Sequence, residues 1–390
     1  MPRPPSPTAL PSEPRSAPSM IPSVILSILV GLLVVVTVAP LLPVGAWFVR
    51  LGDFPRMQIV AVAALLGILV AMLDVGRGPL ERLTWLGVCG LVVLWQASHF
   101  VALTPLWPVE SPAADGKDAI RVAVANLRFE NTQREQVVEE LTALDADVLL
   151  LIEIDEAWAE ALKPLRSKYP HRHGVVAEEG LGMILWSKLS VSGCEVRHLV
   201  SEQRPSIFAD IETPDGATVH FVGVHPTPPG LYEEDHDERH DSRIRDAELM
   251  LVAREVAERP DDRWLVTGDF NDVAWSHTTR LFKRMSGLKD PRVGRGLYNT
   301  YHADYPLVLR FPIDHVFVSA GAGVADLRRF RPTGSDHFGI LTSLAFQSSE
   351  KSRPDPEGDD PEESAELIAE GLDDAEAMAP DDPPEKSASP

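Results

Sequence analysis

Three long apolar runs stand at the front of the chain: Ile21 to Leu42, Met57 to Leu73 and Trp85 to Val101. Shorter, strand-like runs begin only after residue 118. A bilayer core takes about 20 apolar residues per helix, so the pattern predicts three transmembrane helices over 21–42, 57–73 and 85–103, the second at the short end. Buried helices of a soluble protein are the competing reading, but three such runs joined by short Arg-bearing loops fit a membrane anchor better. The first run is too long for a secretory signal, is followed by no small-x-small cleavage site, and precedes two further spans. Ahead of it, residues 1–20 are rich in Pro and Ser and read as a disordered tail.

From residue 119 the pattern alternates between strands and helices. Ile120 to Leu127, Val148 to Ile154, Met183 to Trp186, Phe208 to Ile211, Val219 to Val224, Trp264 to Thr267, Ile313 to Ser319 and Ile340 to Phe346 read as strands. Gln133 to Leu144, Glu156 to Leu165 and Arg243 to Glu258 carry helical spacing. This mixture predicts an α/β body, a two-sheet α/β sandwich with flanking helices, over 119–346. Residues 108–118 form the linker from the anchor, which spans 21–107. Residues 347–390 are rich in Pro, Asp, Glu and Ser, lack aromatics, and are expected to be disordered.

Charge refines this division. The chain carries a formal −22. Residues 346–390 hold 15 acids against 3 bases, and 118–345 hold 37 acids against 26 bases. An acidic body argues against tight non-specific nucleic-acid binding, which depends on Lys and Arg neutralising phosphates, though a local basic groove remains compatible with it. In the anchor, Arg3, Arg15, Arg77 and Arg82 fall on one side and Arg50 and Arg56 on the other. The positive-inside rule then places the body outside the cytoplasm, in a multi-pass protein of the cell membrane. The two cysteines, Cys89 and Cys194, imply no disulfide within the body.

The chemistry sits where apolar runs end. Glu153 sits inside the run Leu149-Leu150-Leu151-Ile152-Glu153-Ile154, and a lone carboxylate there is expensive to bury without a partner. Mg²⁺ is held by one or two carboxylates plus waters and substrate phosphate. Asn126 ends another strand. His225 follows Phe221-Val222-Gly223-Val224. Asp269 and Asn271 follow Trp264-Leu265-Val266 and are expected on the same side of an extended segment. Asp314 and Asp336-His337 complete the set, since a carboxylate orienting a histidine is a recurring way to tune an acid or base. An edge acid, an Asx turn or a surface histidine explains any one of these; six strand-end sites in one body point together to phosphoester chemistry.

These segments resemble the endonuclease/exonuclease/phosphatase superfamily, which includes pancreatic-type deoxyribonucleases, abasic-site endonucleases, inositol-phosphate 5-phosphatases and neutral sphingomyelinases. The matching stretches are Val124 to Leu127, Leu151 to Glu153, Gly223 to Pro226, Gly268 to Asn271, Ile313 to Val316 and Gly334 to His337, in the family's order. The resemblance implies that Glu153 binds a divalent ion, with Asn126 and Asp336 in its network. It implies that Asp269 and Asn271 position the attacking water and the phosphate, that Asp314 orients His337, and that His337 with His225 serves the phosphoryl oxygens. Mg²⁺ is the implied ion, with Mn²⁺ as a substitute. Whether Asp269 or His337 deprotonates the water stays open.

Departures from the pattern are local. Pro226 to Gly230 is Pro-rich and leads into an acidic loop, Glu233 to Glu238, read as solvated or as a lid repelling long polyanions. Arg243 and Arg245 are candidates for a phosphate clamp, and Thr300-Tyr301 for a substrate wall. The expectation is a membrane-anchored, metal-dependent phosphodiesterase, possibly acting on nucleic acid. The alternatives are a phosphatase or phosphodiesterase for a phospholipid headgroup or small phosphoester, and a non-catalytic membrane binding protein on the same fold. No protein partner is expected.

Overall fold

A computed structural model describes residues 20–41, 52–72, 78–228, 242–346 and 353–378. The tail before residue 20 and the acidic loop 233–238 lie outside the described residues. The first helices are α1 (Met20–Val38), α2 (Arg56–Met72) and α3 (Pro79–Phe100). Helix α2 runs antiparallel to α1 and α3. Gln96 near the end of α3 donates to Thr37 near the end of α1 at 3.2 Å, and Arg56 at the start of α2 donates to Gln96 at 2.7 Å. At the other end of the bundle, Arg82 of α3 caps the Ala71 carbonyl of α2.

The expectation of three spanning helices is met in part. Val24–Leu41 and Pro79–Leu103 are long and apolar enough to cross a membrane, whereas Arg56–Met72 is shorter. At 1.5 Å per residue its 17 residues reach about 25 Å against a core of about 30 Å. Arg56, counted above as a loop charge, instead opens α2 and is buried against Asp53 and Gln96.

The body is two stacked sheets. The first holds β1 (Ile120–Asn126), β2 (Val148–Ile152), β3 (His171–Val175), β4 (Met183–Ser187), β10 (Ala322–Phe330) and β11 (Gly339–Phe346), in the order β10-β11-β1-β2-β4-β3. The second holds β5 (Val191–Arg197), β6 (Ser206–Glu212), β7 (Thr218–Val224), β8 (Trp264–Asp269) and β9 (Asp314–Val318), in chain order. One parallel pair lies inside each sheet, β1 with β2 and β7 with β8; the other neighbours are antiparallel.

Burial on both faces explains why the central strands read as unbroken apolar runs. Val122, Val124, Leu150 and Ile152 meet Ile207, Phe221, Leu265 and Val316 between the sheets. The alternate residues Ala123, Leu149 and Leu151 pack outward on Val137 and Leu141 of α4 (Arg134–Leu144) and Trp158 of α5 (Glu156–Ala161). On the far side, α6 (Arg243–Glu258) and α7 (His277–Ser286) cover Val222 and Val266 of the second sheet. The strands that periodicity did not predict, β3, β5 and β10, all lie at sheet edges. There one side is wet and the apolar signal weak, as in His171-Arg172-His173.

The acidic carboxyl segment departs from expectation. Asp360–Met378 forms helix α8, which docks on α6 and α7. Leu367 and Ile368 join the apolar cluster of α6. Arg284 grips Asp360 with two hydrogen bonds, 2.6 and 2.7 Å, and His277 meets Glu363 at 2.6 Å. The helix supplies acids, and the body supplies the bases and apolar surface that order it. The linker is also tied down: Ala113 bridges Val324 of β10, and Lys283 pairs with Glu110 at 2.5 Å.

Candidate active site

Four central strands deliver polar residues to one end of the sandwich. Asn126 ends β1 and Glu153 follows β2, from the first sheet; His225 follows β7 and Asp269 ends β8, from the second. Asp314 opens β9, while Asp336 and His337 lie on the turn before β11. Gly268 permits the approach on the second sheet. Its φ is +148°, and a Cβ there would lie 1.9 Å from the Val224 carbonyl oxygen.

Asn126 joins the two sheets. Its amide donates to Glu153 Oε1 at 2.7 Å and to Asp269 Oδ2 at 3.2 Å, while its Oδ1 accepts the Arg128 N–H at 3.0 Å. Glu153 Oε2 accepts the Phe129 N–H at 3.1 Å. The φ of Glu153 is +64°, so the chain turns out of the strand there to present the carboxylate. Ser335 ties the last turn to the first strand, donating to the Asn126 carbonyl at 2.8 Å and accepting the His337 N–H at 3.0 Å.

His337 lies between two carboxylates. Its Nδ1 is 2.9 Å from Asp314 Oδ2 and its Nε2 is 3.6 Å from Asp269 Oδ2. His225 Nε2 approaches the same Asp269 oxygen at 4.0 Å. Burial alone would lower His337, but the facing carboxylates of Asp314 and Asp269 and the hydrogen bond to Asp314 push it up to about 10. Asp269 rises to about 7, chiefly through burial, with Asp314 adding to the rise and His337 opposing it. Burial, the Arg204 guanidinium and His337 hold His225 well below its ordinary value, hence neutral. The two buried histidines are thus shifted in opposite directions.

Asn271 departs from its expected geometry. It has φ +51° and does not continue an extended segment. Its N–H bonds Asp269 Oδ1 at 3.0 Å and its amide donates to the Pro226 carbonyl at 2.9 Å. It therefore closes an Asx turn on Asp269 and braces the loop carrying His225. Of the proposed phosphate clamp, Arg243 is turned away, pairing with Asp374 of α8 at 3.2 Å. Arg245 lines the cleft but is committed: it grips Asp246 Oδ1 at 2.9 and 2.8 Å, holds the Asn271 carbonyl at 2.9 Å, and lies 3.6 Å from Asp272. Tyr301 does line the cleft, its ring centroid 4.9 Å from that of His337. Thr300 is buried behind it, where its hydroxyl accepts the Asp314 N–H at 3.2 Å.

The cleft, about 840 Å³, has walls that no strand-end motif announced. Arg204 lines it from just before β6. Asp272 is buried beneath, capped by the Val273 N–H at 2.9 Å and the Thr279 hydroxyl at 3.1 Å. His315 fixes the same turn, bonding the Asp272 carbonyl at 2.8 Å while accepting from Arg292 at 2.6 Å. The Ile313-Asp314-His315 sequence is the only signal that could have flagged it. Asp53 and Phe54, from the loop between α1 and α2, form a further wall.

A profile of the Endonuclease/Exonuclease/phosphatase family matches residues 123–337, which is more than half of the chain. The chain belongs to this family. Its members are typically hydrolases of phosphoester bonds. No curated protein matches the chain. Among solved structures, a humanized D. rerio TDP2 is 15% identical, covering 58% of this chain and 99% of that one with a TM-score of 0.48. An endonuclease/exonuclease/phosphatase from Bacteroides vulgatus is 18% identical, with coverages of 59% and 99% and a TM-score of 0.48. The human nocturnin catalytic domain with bound sulfate is 16% identical, with coverages of 59% and 95% and a TM-score of 0.47.

Family members commonly use divalent metals, and the residues here fit one. Asp269, Asp314 and His337 lie close enough to share an ion, and Asp314 Oδ1 is buried without a hydrogen-bond partner. Glu153 offers a further carboxylate at the same cleft. Burial raises its pKa against the Asn126 and Phe129 hydrogen bonds, and nearby Asp336 raises it further. A half-buried carboxylate with a second one near it is a hard, anionic oxygen set.

Proposed function

We propose that the chain is a membrane-anchored, divalent-metal-dependent phosphoesterase that cleaves phosphodiester bonds. The observation carrying this reading is the Asp314–His337–Asp269 line, an imidazole held between two buried carboxylates in a cleft.

In this mechanism Glu153 and Asp336 would hold a divalent ion such as Mg²⁺ or Mn²⁺, with Asn126 fixing the Glu153 carboxylate. Such an ion, when bound, would supply charge neutralisation at the phosphate and the leaving oxygen. Asp269, ionised once the site is charged-balanced, accepts a proton from the attacking water. Asn271 holds Asp269 in place through its backbone N–H. His337, kept protonated by Asp314, faces the developing negative charge on the phosphoryl oxygens. His225 is neutral and offers a second hydrogen bond there. Arg245 acts on the turn that carries Asn271 and not on substrate.

The anchor reading rests on the two helices long and apolar enough to cross a membrane, and on the bundle in which α2 runs antiparallel to both. In that arrangement the amino-terminal end of α1 and the body lie on opposite sides of the bilayer, and the Arg distribution puts the body outside the cytoplasm. The domain limits follow the same division: anchor 21–107, linker 108–118 and catalytic body 119–346. An acidic body favours a phospholipid headgroup or small phosphoester over a long polyanion. The test is hydrolysis by the full chain, with and without Mg²⁺, of plasmid DNA, RNA, phosphoinositide and sphingomyelin. Unchanged turnover in both Asp269→Ala and His337→Ala would overturn the catalytic assignment.

A further inference from the structure

The chain makes an apolar excursion between two residues of the cleft wall. Tyr301 and Phe311 form a β-bridge, with the Tyr301 N–H donating to the Phe311 carbonyl at 2.9 Å, and both line the cleft. Between them the chain runs out to a tip where Tyr305, Leu307, Val308 and Leu309 are 51%, 56%, 57% and 45% exposed. Four neighbouring large apolar residues exposed to this degree mark an interaction surface rather than scattered surface residues.

The position of the tip identifies what covers it. Gln58, in the first turn of α2, donates to the Val308 carbonyl at 2.6 Å. At 17 residues, α2 crosses a bilayer only if that first turn lies at the hydrocarbon boundary. Val308 is then level with the boundary too. On the chain leaving α3, Leu106 and Trp107 are also exposed, at 87% and 50%. Tryptophan at the end of a span is characteristic of the membrane interface. A cationic group borders the tip: the guanidiniums of Arg310, Arg329 and Arg331 lie 4.8, 4.7 and 5.8 Å from the Phe338 ring centroid, next to His337. Such residues suit anionic headgroups beside an immersed apolar edge.

We propose that residues 305–309 form a second membrane contact beside α2. This contact sets the mouth of the cleft at the level of the lipid headgroups, so that the phosphoester it receives is one carried by a lipid. The inference rests on the anchored-phosphoesterase reading and adds to it the seating of the tip and the substrate class. The stems Tyr301 and Phe311 couple the two: Phe311 packs edge-on to Phe54 of the α1–α2 loop at 5.8 Å, and Tyr301 packs against His337.

The experiment uses the full chain in phosphatidylcholine vesicles, with Cys89→Ala and Cys194→Ala and an environment-sensitive fluorophore on Val308→Cys. On vesicles the emission of this probe should shift to the blue, and lipids spin-labelled near the headgroup should quench it. The same probe on Glu212→Cys, at the opposite end of the sheet, should stay unquenched. The companion variant Leu307→Ser/Val308→Ser/Leu309→Ser is assayed with Mg²⁺ on vesicles of sphingomyelin, phosphatidylglycerol and phosphoinositide, on bis(4-nitrophenyl) phosphate and on a single-stranded oligonucleotide. Lipid turnover should fall about ten-fold as the apolar contact is lost, with turnover of the soluble diester kept. A chain that floats with vesicles yet leaves the Val308 probe unquenched overturns the seating and spares the anchor. Turnover of the oligonucleotide and of no lipid overturns the substrate class. A chain that does not float, or hydrolyses nothing, fails at the proposed function itself and takes this inference with it.

Discussion

Asp314 Oδ2 holds His337 Nδ1 at 2.9 Å, so the imidazole faces Asp269 with its other nitrogen fixed in direction. Asp314→Asn keeps the shape and removes the charge. Hydrolysis of a soluble phosphodiester should then fall about 100-fold or more, the range for losing a group that stabilises transition-state charge, with KM little changed.

The same pair sets a pH signature. His337 is raised above its ordinary 6.5, to about 10. Its contribution to folded stability is therefore complete below about 6.5 and is lost as pH rises through about 10. Asp269 ionises near 7 before any cation is bound, and a cation favours the ionised form. The acid limb of the rate profile should fall below 7 with Mg²⁺ present, and the alkaline limb should lie near 10. In Asp314→Asn the alkaline limb should move to lower pH. A steady-state profile from pH 5 to 11 measures both limbs.

Glu153→Gln should separate ion binding from proton chemistry. The amide keeps the bulk but not the charge. The Mg²⁺ concentration giving half-maximal activity should rise about ten-fold or more, while chelation abolishes wild-type turnover and Mg²⁺ restores it. An unchanged Mg²⁺ titration would place the ion elsewhere.

Arg245 and Arg243 are two residues apart and should behave oppositely. Arg245→Met leaves Asp246 and Asp272 facing each other in a buried site, a loss of about 3–5 kcal/mol. Arg243→Ala loses a partly exposed contact with α8, worth below about 1 kcal/mol. Thermal melting should distinguish them, and hydrolysis by Arg243→Ala should match the wild type.

Helix α8 docks through a close approach. A Cβ on Gly371 would lie 2.3 Å from that of Ala247 and 2.6 Å from the Arg243 carbonyl oxygen. Gly371→Leu should force the helices apart and expose 360–378 to limited proteolysis, detected by mass spectrometry of the carboxyl-terminal fragment.

The site was legible where an apolar run stops at a polar residue. Asn126, Glu153, His225 and Asp269 each follow or end a buried strand and Asp314 opens one, so the break in hydrophobicity marks the cleft. Residues that act across long sequence separations left no such mark. Arg243 and Arg245 look alike on α6, and only packing decides that one meets α8 and the other the Asp272 turn. The edge strands β3, β5 and β10 were invisible because a wet edge needs no apolar run. Helix α8 was misread for a related reason. Its own composition cannot order it, and the bases it needs, Arg284 and His277, lie more than 70 residues upstream.

Asn126 has one further consequence. Its side chain hydrogen-bonds Glu153 from one sheet and Asp269 from the other, so neither layer owns a working half of the cleft. Catalytic competence is then a gauge of interlayer docking: a slight parting of the sheets silences the enzyme while each layer keeps its hydrogen-bonded strands. In a denaturant series, turnover should vanish at or before the tryptophan signal and never after it.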